Sequence, residues 1–511
     1  MLVLVVILGS LPPLRPSEGD YLQFYITYLD RGAAGLNTIL FDAGDQFQGT
    51  LFFNVWGSSI ISQTMNMLGY EVMTVGNHEF DRGEEYAANF FKTLNFPVVS
   101  SNFNYSTAPY LSQIVQPYVI IEKYGQKIGV VGFITNTTAD ITLGGKNITF
   151  YNPVASVQNS INAIRAAGVK KIIGVSHNGY FDDQYLAANT EGLSLIVGGH
   201  SHSLLSKNTS LPGWVGLYPT SVTNLNGSQT YVVQAHRYGD YFGVVNMTWD
   251  SNDQLIDLKG DPILLDNTIS PDAGMAELVT TWRAAFVNLT TQVVADVNPP
   301  GYTTDNCRTT ECAEGDMICD AMLMSRRLVG AQVCMNNGGS VRAGLGPGNV
   351  TVGDIMEVLP FSNVVVDTNM TGNQIRMILE GAISGKNLVT KKNVITVPQV
   401  AGIRFNVDRT RPQGQQAVNI TIQDPYPAET YSPINLNQTY IVVVNDFLCS
   451  GGDNILLDVI TNYIAGDLLT DAVSNYLQSR NRTIDPVTDG RAYQNVTAPI
   501  TASSLLVFET V

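Results

Sequence analysis

The chain has 511 residues, 44% of them hydrophobic and 14% charged, with a formal net charge of −16. That length exceeds what one hydrophobic core serves and predicts two domains or three. The acidic balance excludes a general binder of nucleic-acid polymers or membrane surfaces, which needs a basic face, so an anionic ligand must be held by metal ions or a few placed arginines.

In chain order, residues 1–8 form an apolar run with no basic flank and no clear small-residue cleavage site behind it. It reads as a shortened signal peptide or as a buried strand. Residues 36–265 alternate short β-branched runs with helix-like segments, among them 83–94 and 157–167, the pattern of βαβ units in an α/β fold. Residues 118–123 and 127–133 read as a hairpin around Gly125. Strands at 38–41, 72–75, 170–175 and 193–197 each end in a polar turn. The turns are Asp42-Ala43-Gly44-Asp45, Gly76-Asn77-His78-Glu79-Phe80-Asp81, Ser176-His177-Asn178-Gly179 and Gly198-Gly199-His200-Ser201-His202. Open α/β sheets bind ligands at such carboxyl ends. Of the 5 histidines, His78, His177, His200 and His202 lie on these turns and only His236 lies elsewhere. Core histidines would fall anywhere, so the clustering points to a metal centre with an acid/base group beside it, and His236 reads as structural.

Residues 269–290 read as a connecting helix. Ser270-Pro271-Asp272 gives a start signal, and Met275, Leu278, Val279, Trp282 and Phe286 recur at helical spacing. The predicted organisation is a first domain at 1–268, this helix, a second domain at 291–500 and a tail at 501–511. Four of the 5 cysteines, Cys307, Cys312, Cys319 and Cys334, crowd into the start of the second domain. Their spacing lacks the C-x2-C pairs of a zinc ribbon and points to two local disulfides in an oxidising compartment, with Cys449 left over. About a dozen Asn-x-Ser/Thr sequons, including Asn104, Asn136, Asn147, Asn208, Asn246, Asn288, Asn369 and Asn437, add to the reading of a secreted glycoprotein. No stretch approaches the ~20 apolar residues of a transmembrane span, and 505–508 is too short for a lipid-anchor tail.

Seven motifs, DAGDQFQGT, GNHEFD, SHNG, GGHSH, NGGSVRAGL, LPFSN and NDFLCSGGDN, resemble in this order those of the 5′-nucleotidase/apyrase family, across residues 20–500. The resemblance implies a calcineurin-like metallophosphoesterase domain of sheet and helix layers, then an α+β nucleotide-binding domain. It also implies an active site between them and a rotation of the second domain between open and closed states. Asp45 would bridge two divalent metal ions, zinc being expected. Asn77, His177 and His200 would complete one site, His202 would serve the other, and His78 with Asp81 would form the catalytic dyad. Arg308 and Arg342 would grip the phosphate and ribose end, with Asn337 and Gly339 lining the site. Phe361 and Phe447 would sandwich the base, and Asp453 would bond the ribose. The family pattern pairs Cys307 with Cys312 and Cys319 with Cys334.

These assignments make chemical sense. Two cations lower the pKa of a bound water to about 7. Asp81 keeps His78 protonated, guanidinium forks match phosphate, and aromatic faces stack any base. Without the resemblance, Phe361 and Phe447 also fit core positions, and Gly338-Gly339 fits a plain turn. One departure stands out. The family opens with Asp-x-His on its first strand, and no such pair precedes Asp45. One metal would keep four protein ligands and the other only Asp45 and His202, too few for tight zinc. The chain is then an incomplete version of an active enzyme, the preferred reading, or a degenerate member that binds nucleotide or one metal without fast turnover. The expected activity is extracellular hydrolysis of nucleoside 5′-monophosphates such as AMP. Apyrase and nucleotide-sugar hydrolase activities share the same motifs. The sequence does not fix the oligomeric state, a homodimer being one arrangement it allows.

Overall fold

The computed structural model describes residues 2–7, 37–47, 50–142, 144–237, 239–266, 268–269, 272–480 and 483–496. The chain divides into two compact units, Met1–Val287 and Asn288–Val511.

The first unit is built on two sheets. One has seven strands in the order Leu255–Leu264, Tyr241–Trp249, Leu2–Ile7, Asn37–Asp42, Val72–Thr74, Val98–Val99, Val115–Gln116. Leu2–Ile7, for which strand and signal peptide are both open readings in the sequence, pairs parallel to Asn37–Asp42 and antiparallel to Tyr241–Trp249. The other sheet has six strands in the order Thr220–Thr223, Gln229–Val233, Leu195–Val197, Ile172–His177, Gln126–Ile134, Tyr118–Lys123. Its last two strands form the expected hairpin around Gly125. Successive side chains of a strand face opposite ways, and Asn37–Asp42 uses both faces. Ile39 and Phe41 join Val130, Ile173 and Leu195 in the cluster between the sheets. Leu40 joins the cluster under the helices Ser58–Leu68 and Glu84–Phe91. The helix Pro153–Ala166 covers the second sheet through Val157, Ile161 and Ile164. The result is a helix–sheet–sheet–helix stack whose parallel strands deliver the four polar turns to one rim.

The helix read as a connector runs from Ala273 to Arg283, capped by the Asp272 carboxylate, which accepts from Met275 N at 2.9 Å. It belongs to the first unit. Met275 is buried in that unit's cluster, with Leu278, Val279 and Trp282 packed against it. The division between units therefore falls after this segment, and residues 501–511, read as a tail, lie outside the described residues.

The second unit carries a five-stranded sheet in the order Pro398–Ala401, Val333–Asn337, Thr439–Asn445, Val364–Thr371, Ile464–Leu468. Alternation again splits its residues. Cys334, Val365 and Val443 face the cluster that holds the helices Ala313–Arg326 and Leu469–Ser479. Val333, Met335, Val442 and Val444 face the one that holds Gly372–Ser384. Cys307 and Cys312 are joined, with S–S 2.02 Å. The second implied disulfide is not formed: Cys319 and Cys334 are buried thiols, and Cys334 Sγ lies 3.7 Å from Met322 Sδ. Burial, and then the neighbouring Cys334, push the Cys319 thiol well above its ordinary value.

Behind the disulfide loop, Glu311 accepts from the backbone amides of Gly490 at 2.8 Å, Arg491 at 3.2 Å and Ala492 at 3.0 Å. Arg491 in turn donates to Asp320 at 2.7 Å and Asp489 at 2.8 Å, and it lies 3.7 Å from Asp316. Burial pushes Asp316 up to about 8, against the pull of Arg491 and with a push from Glu311. The native state therefore holds a proton that the unfolded chain releases near pH 4. Fewer protons on the unfolded chain mean that stability falls as pH rises from about 4 to about 8. Asp316→Asn needs no proton. Its Tm, followed from pH 5 to pH 8, is expected to fall less than that of the parent chain. Parallel curves would refute the assignment.

Candidate functional site

All four turns on the rim converge. Among the described residues, ligand atoms of Asp45, His177 and His200 all lie within 4.8 Å of one another. His177 Nε2 is 2.9 Å from Asp45 Oδ2 and 3.1 Å from Asn77 Oδ1, and His200 Nδ1 is 2.9 Å from the same amide oxygen. The ring orientation of His177 is fixed from behind, because its Nδ1 sits 2.6 Å from the Ala43 carbonyl, which can only accept. Nδ1 is thus the donor, and a neutral His177 would aim its Nε2 lone pair at two oxygen acceptors. Such a set of converging lone pairs requires a positive centre, either a proton or a metal ion. Burial disfavours charge on His177, but Asp45 outweighs it and the imidazole is raised. Asp45 is displaced the other way, far below the carboxylate range, burial being overcome by His177 and then His78.

The backbone shows the same focus. Asp45, His200 and His202 have φ of 62°, 74° and 52°, a left-handed region that residues with a side chain seldom adopt. Gly44 and Gly76 let the first two turns meet: a Cβ on Gly44 would lie 2.6 Å from Gly76 N, and one on Gly76 would lie 2.2 Å from Asp45 N. His78 sits beside the cluster. Its backbone N–H donates to Asp45 Oδ1 at 2.9 Å, and its Nδ1 faces Asp81 Oδ2 at 2.6 Å. His202 lies two residues past His200 and outside the trio.

Glu79 stands inside the hexapeptide, yet the sequence assigns it no role. It is fully buried, and its carboxylate accepts four backbone amides: Asp45 at 3.0 Å, Gly76 at 2.6 Å, Gln46 at 2.6 Å and Phe47 at 3.2 Å. Burial, then the neighbouring Asp45, pushes Glu79 up to about 7. The fourth turn is steadied by Gln234, whose amide donates to Gly199 O at 2.8 Å and accepts from Ser201 Oγ at 3.0 Å and from Ser203 N.

In the second unit the candidates also gather at one end of a sheet. Val333–Asn337 and Thr439–Asn445 run parallel, and Val364–Thr371 runs antiparallel beside them. Asn337, Phe361 and Phe447 therefore lie at or just beyond the same edge. Asn445 ties this edge together, donating to Asn336 Oδ1 at 2.7 Å and Asn337 Oδ1 at 2.9 Å. Asp453 Oδ2 accepts from Asn337 at 2.9 Å and Thr396 at 2.8 Å, and a Cβ on Gly339 would come within 3.2 Å of that oxygen. Burial raises Asp453, while Arg308 and Arg342 draw it back. The Arg342 guanidinium lies 5.6 Å from the Phe361 ring centroid, and a Cβ on Gly452 would collide with the Phe447 ring at 2.3 Å.

Comparison with known proteins decides the family. Residues 20–204 match the calcineurin-like phosphoesterases, and residues 290–460 match the C-terminal domain of 5′-nucleotidases. A 5′-nucleotidase of Bos taurus is 30% identical over 498 residues, covering 92% of this chain and 85% of that protein. This chain belongs to the 5′-nucleotidase family. Another similar member is a snake venom 5′-nucleotidase of Gloydius brevicauda, 30% identical over 475 residues, covering 89% of this chain and 80% of that protein. The crystal structure of a 5′-nucleotidase precursor from Thermus thermophilus superposes with TM-score 0.86 at 30% identity, covering 98% of this chain and 100% of that one.

A 5′-nucleotidase of this architecture is a phosphoric monoester hydrolase that works with divalent metal ions. The converging lone pairs of Asp45, Asn77, His177 and His200 fit one ion, with two imidazoles, a carboxylate and an uncharged amide oxygen. Among the described residues the ligand cluster on this rim gathers Asp45, His177 and His200, and His202 is not part of it.

Glu79 gives a test of this centre. In Glu79→Gln one carboxylate oxygen becomes an NH₂ that must face amide donors in either orientation. Affinity for manganese, followed by calorimetry, is expected to drop about 10- to 100-fold. An unaltered affinity in the folded variant would remove Glu79 from this role.

Proposed function

We propose that this chain hydrolyses nucleoside 5′-monophosphates, AMP among them, to nucleoside and inorganic phosphate outside the cell. The observation that carries the reading is the His78–Asp81 pair beside the cluster of Asp45, Asn77, His177 and His200. Asp45, Asn77, His177 and His200 would hold a divalent ion there, zinc being one that imidazole ligands suit, which would supply an activated water at neutral pH and neutralise phosphoryl charge. His78 Nδ1 and Asp81 Oδ2 stand 2.6 Å apart, which fixes the ring so that His78 can offer a proton to the developing charge. Arg308 and Arg342 suit the phosphate and ribose end. Phe361 and Phe447 offer faces to the base. Asp453, whose Oδ2 accepts from Asn337 and Thr396, suits a ribose hydroxyl as a further partner.

Several features support an extracellular setting. They are the disulfide between Cys307 and Cys312, exposed sequon asparagines at 136, 208, 288, 369 and 437, and relatives named as venom proteins. Among the described residues no helix is long and apolar enough to cross a membrane. A second reading, nucleotide binding with one metal and no fast turnover, is favoured by the short ligand set around His202.

Phosphate release from AMP with excess zinc or manganese separates the two readings. Turnover that His78→Ala lowers by about 10²- to 10⁴-fold is expected. AMP binding without turnover would overturn hydrolysis in favour of the second reading. A parallel panel of ADP, ATP and a nucleotide sugar tests monophosphate preference, which faster release from ADP or ATP would overturn.

A further inference from the structure

Arg308 lies on the loop closed by the Cys307–Cys312 disulfide, and its side chain is exposed. Where that guanidinium can reach depends on the backbone that carries it. The backbone of Arg308 is fixed by two residues of one edge segment, Val397 and Gln399. Val397 N donates to Arg308 O at 3.0 Å. The Gln399 amide donates to Cys307 O at 2.8 Å and Thr310 O at 2.6 Å, and accepts from Cys312 N at 3.0 Å. One side chain, 1% exposed, thus bonds the loop on both sides of Arg308 and at its end. The same segment pairs with the strand that ends in the Asn336-Asn337 turn, in the register Asn336↔Gln399 and Asn337↔Pro398. Gly338 of that turn presses on the loop, since a Cβ there would lie 1.8 Å from Cys307 O. Room for the amide comes from the first turn of the helix Ala313–Arg326, where a Cβ on Gly315 would fall 2.3 Å from Gln399 Cγ and 2.7 Å from Oε1.

We propose that Gln399 is a positioning residue that aims Arg308 and thereby sets affinity for the phosphate end of the nucleotide. The inference rests on the reading that Arg308 holds phosphate. A glutamine that only satisfied buried backbone groups would affect folding and all ligands alike. One that aims Arg308 acts on phosphate-bearing ligands and spares nucleosides.

The experiment compares Gln399→Leu, Gly315→Ala, Arg308→Ala and the double variant Arg308→Ala/Gln399→Leu, using AMP as substrate and adenosine as competitor. Gly315→Ala keeps the glutamine and introduces a better helix former, so it reports displacement of the amide if Gln399→Leu folds poorly. KM for AMP is expected to rise about tenfold in each single variant, with kcat little changed and the inhibition constant of adenosine unchanged. The double variant should match Arg308→Ala alone, because the two residues act as one unit. Equal loss of AMP and adenosine binding, or additive effects in the double variant, would overturn the inference. A raised KM in Arg308→Ala with parental values in both Gln399→Leu and Gly315→Ala removes the inference and leaves the phosphate reading standing. A parental KM in Arg308→Ala removes both.

Discussion

A single buried carboxylate holds the first unit's chemistry in place. Glu79 gathers the amides of Asp45, Gln46, Phe47 and Gly76, which come from turns after two different strands. Left unpaired in a dry interior, such donors would cost about 1–3 kcal/mol each, so the two turns have strong reason to meet here. Their meeting sets Asp45 against His177 and brings the His78 amide onto Asp45. The carboxylate acts through backbone, which lets the side chains on the same turns be spent on the cluster itself.

The second unit solves a similar problem with neutral groups. Asn445, Asn336 and Asn337 form an amide network at the sheet edge, and Gln399 does the same for the disulfide loop. Carboxamides both donate and accept, so each can bridge several backbone groups without adding charge. Under the proposed function that matters, because the position beside it would receive an anion. The buried carboxylate close to it, Asp453, is answered by Arg308 and Arg342.

Much of this was legible in the sequence where chemistry and periodicity coincide. The parallel strands announced themselves by short β-branched runs, and the metal cluster by placing rare histidines after them. Asp45, Asn77, His177 and His200 gather as the motifs implied. Glu79 and Gln399 were not legible, because their partners are main-chain amides and carbonyls delivered by tertiary structure, and no side-chain pattern marks them. In Gln399 the one clue was a lone polar residue in the apolar run Val397-Pro398-Gln399-Val400-Ala401. Helical spacing revealed that residues 273–283 bury a face but could not say against which core. Spacing served the cysteines only in part: Cys307 and Cys312 are joined, while Cys319 and Cys334 pack as apolar groups on a helix and a strand.

The left-handed backbone at Asp45, His200 and His202 has a further consequence for how this family can drift. Glycine would relax each of those positions at once, whereas aspartate or histidine holds a conformation that costs of order 1–3 kcal/mol. Replacing them would release that backbone cost, although at Asp45 it would also strand His177 and the His78 amide. Under the proposed function, that cost is offset by what the three side chains would bind.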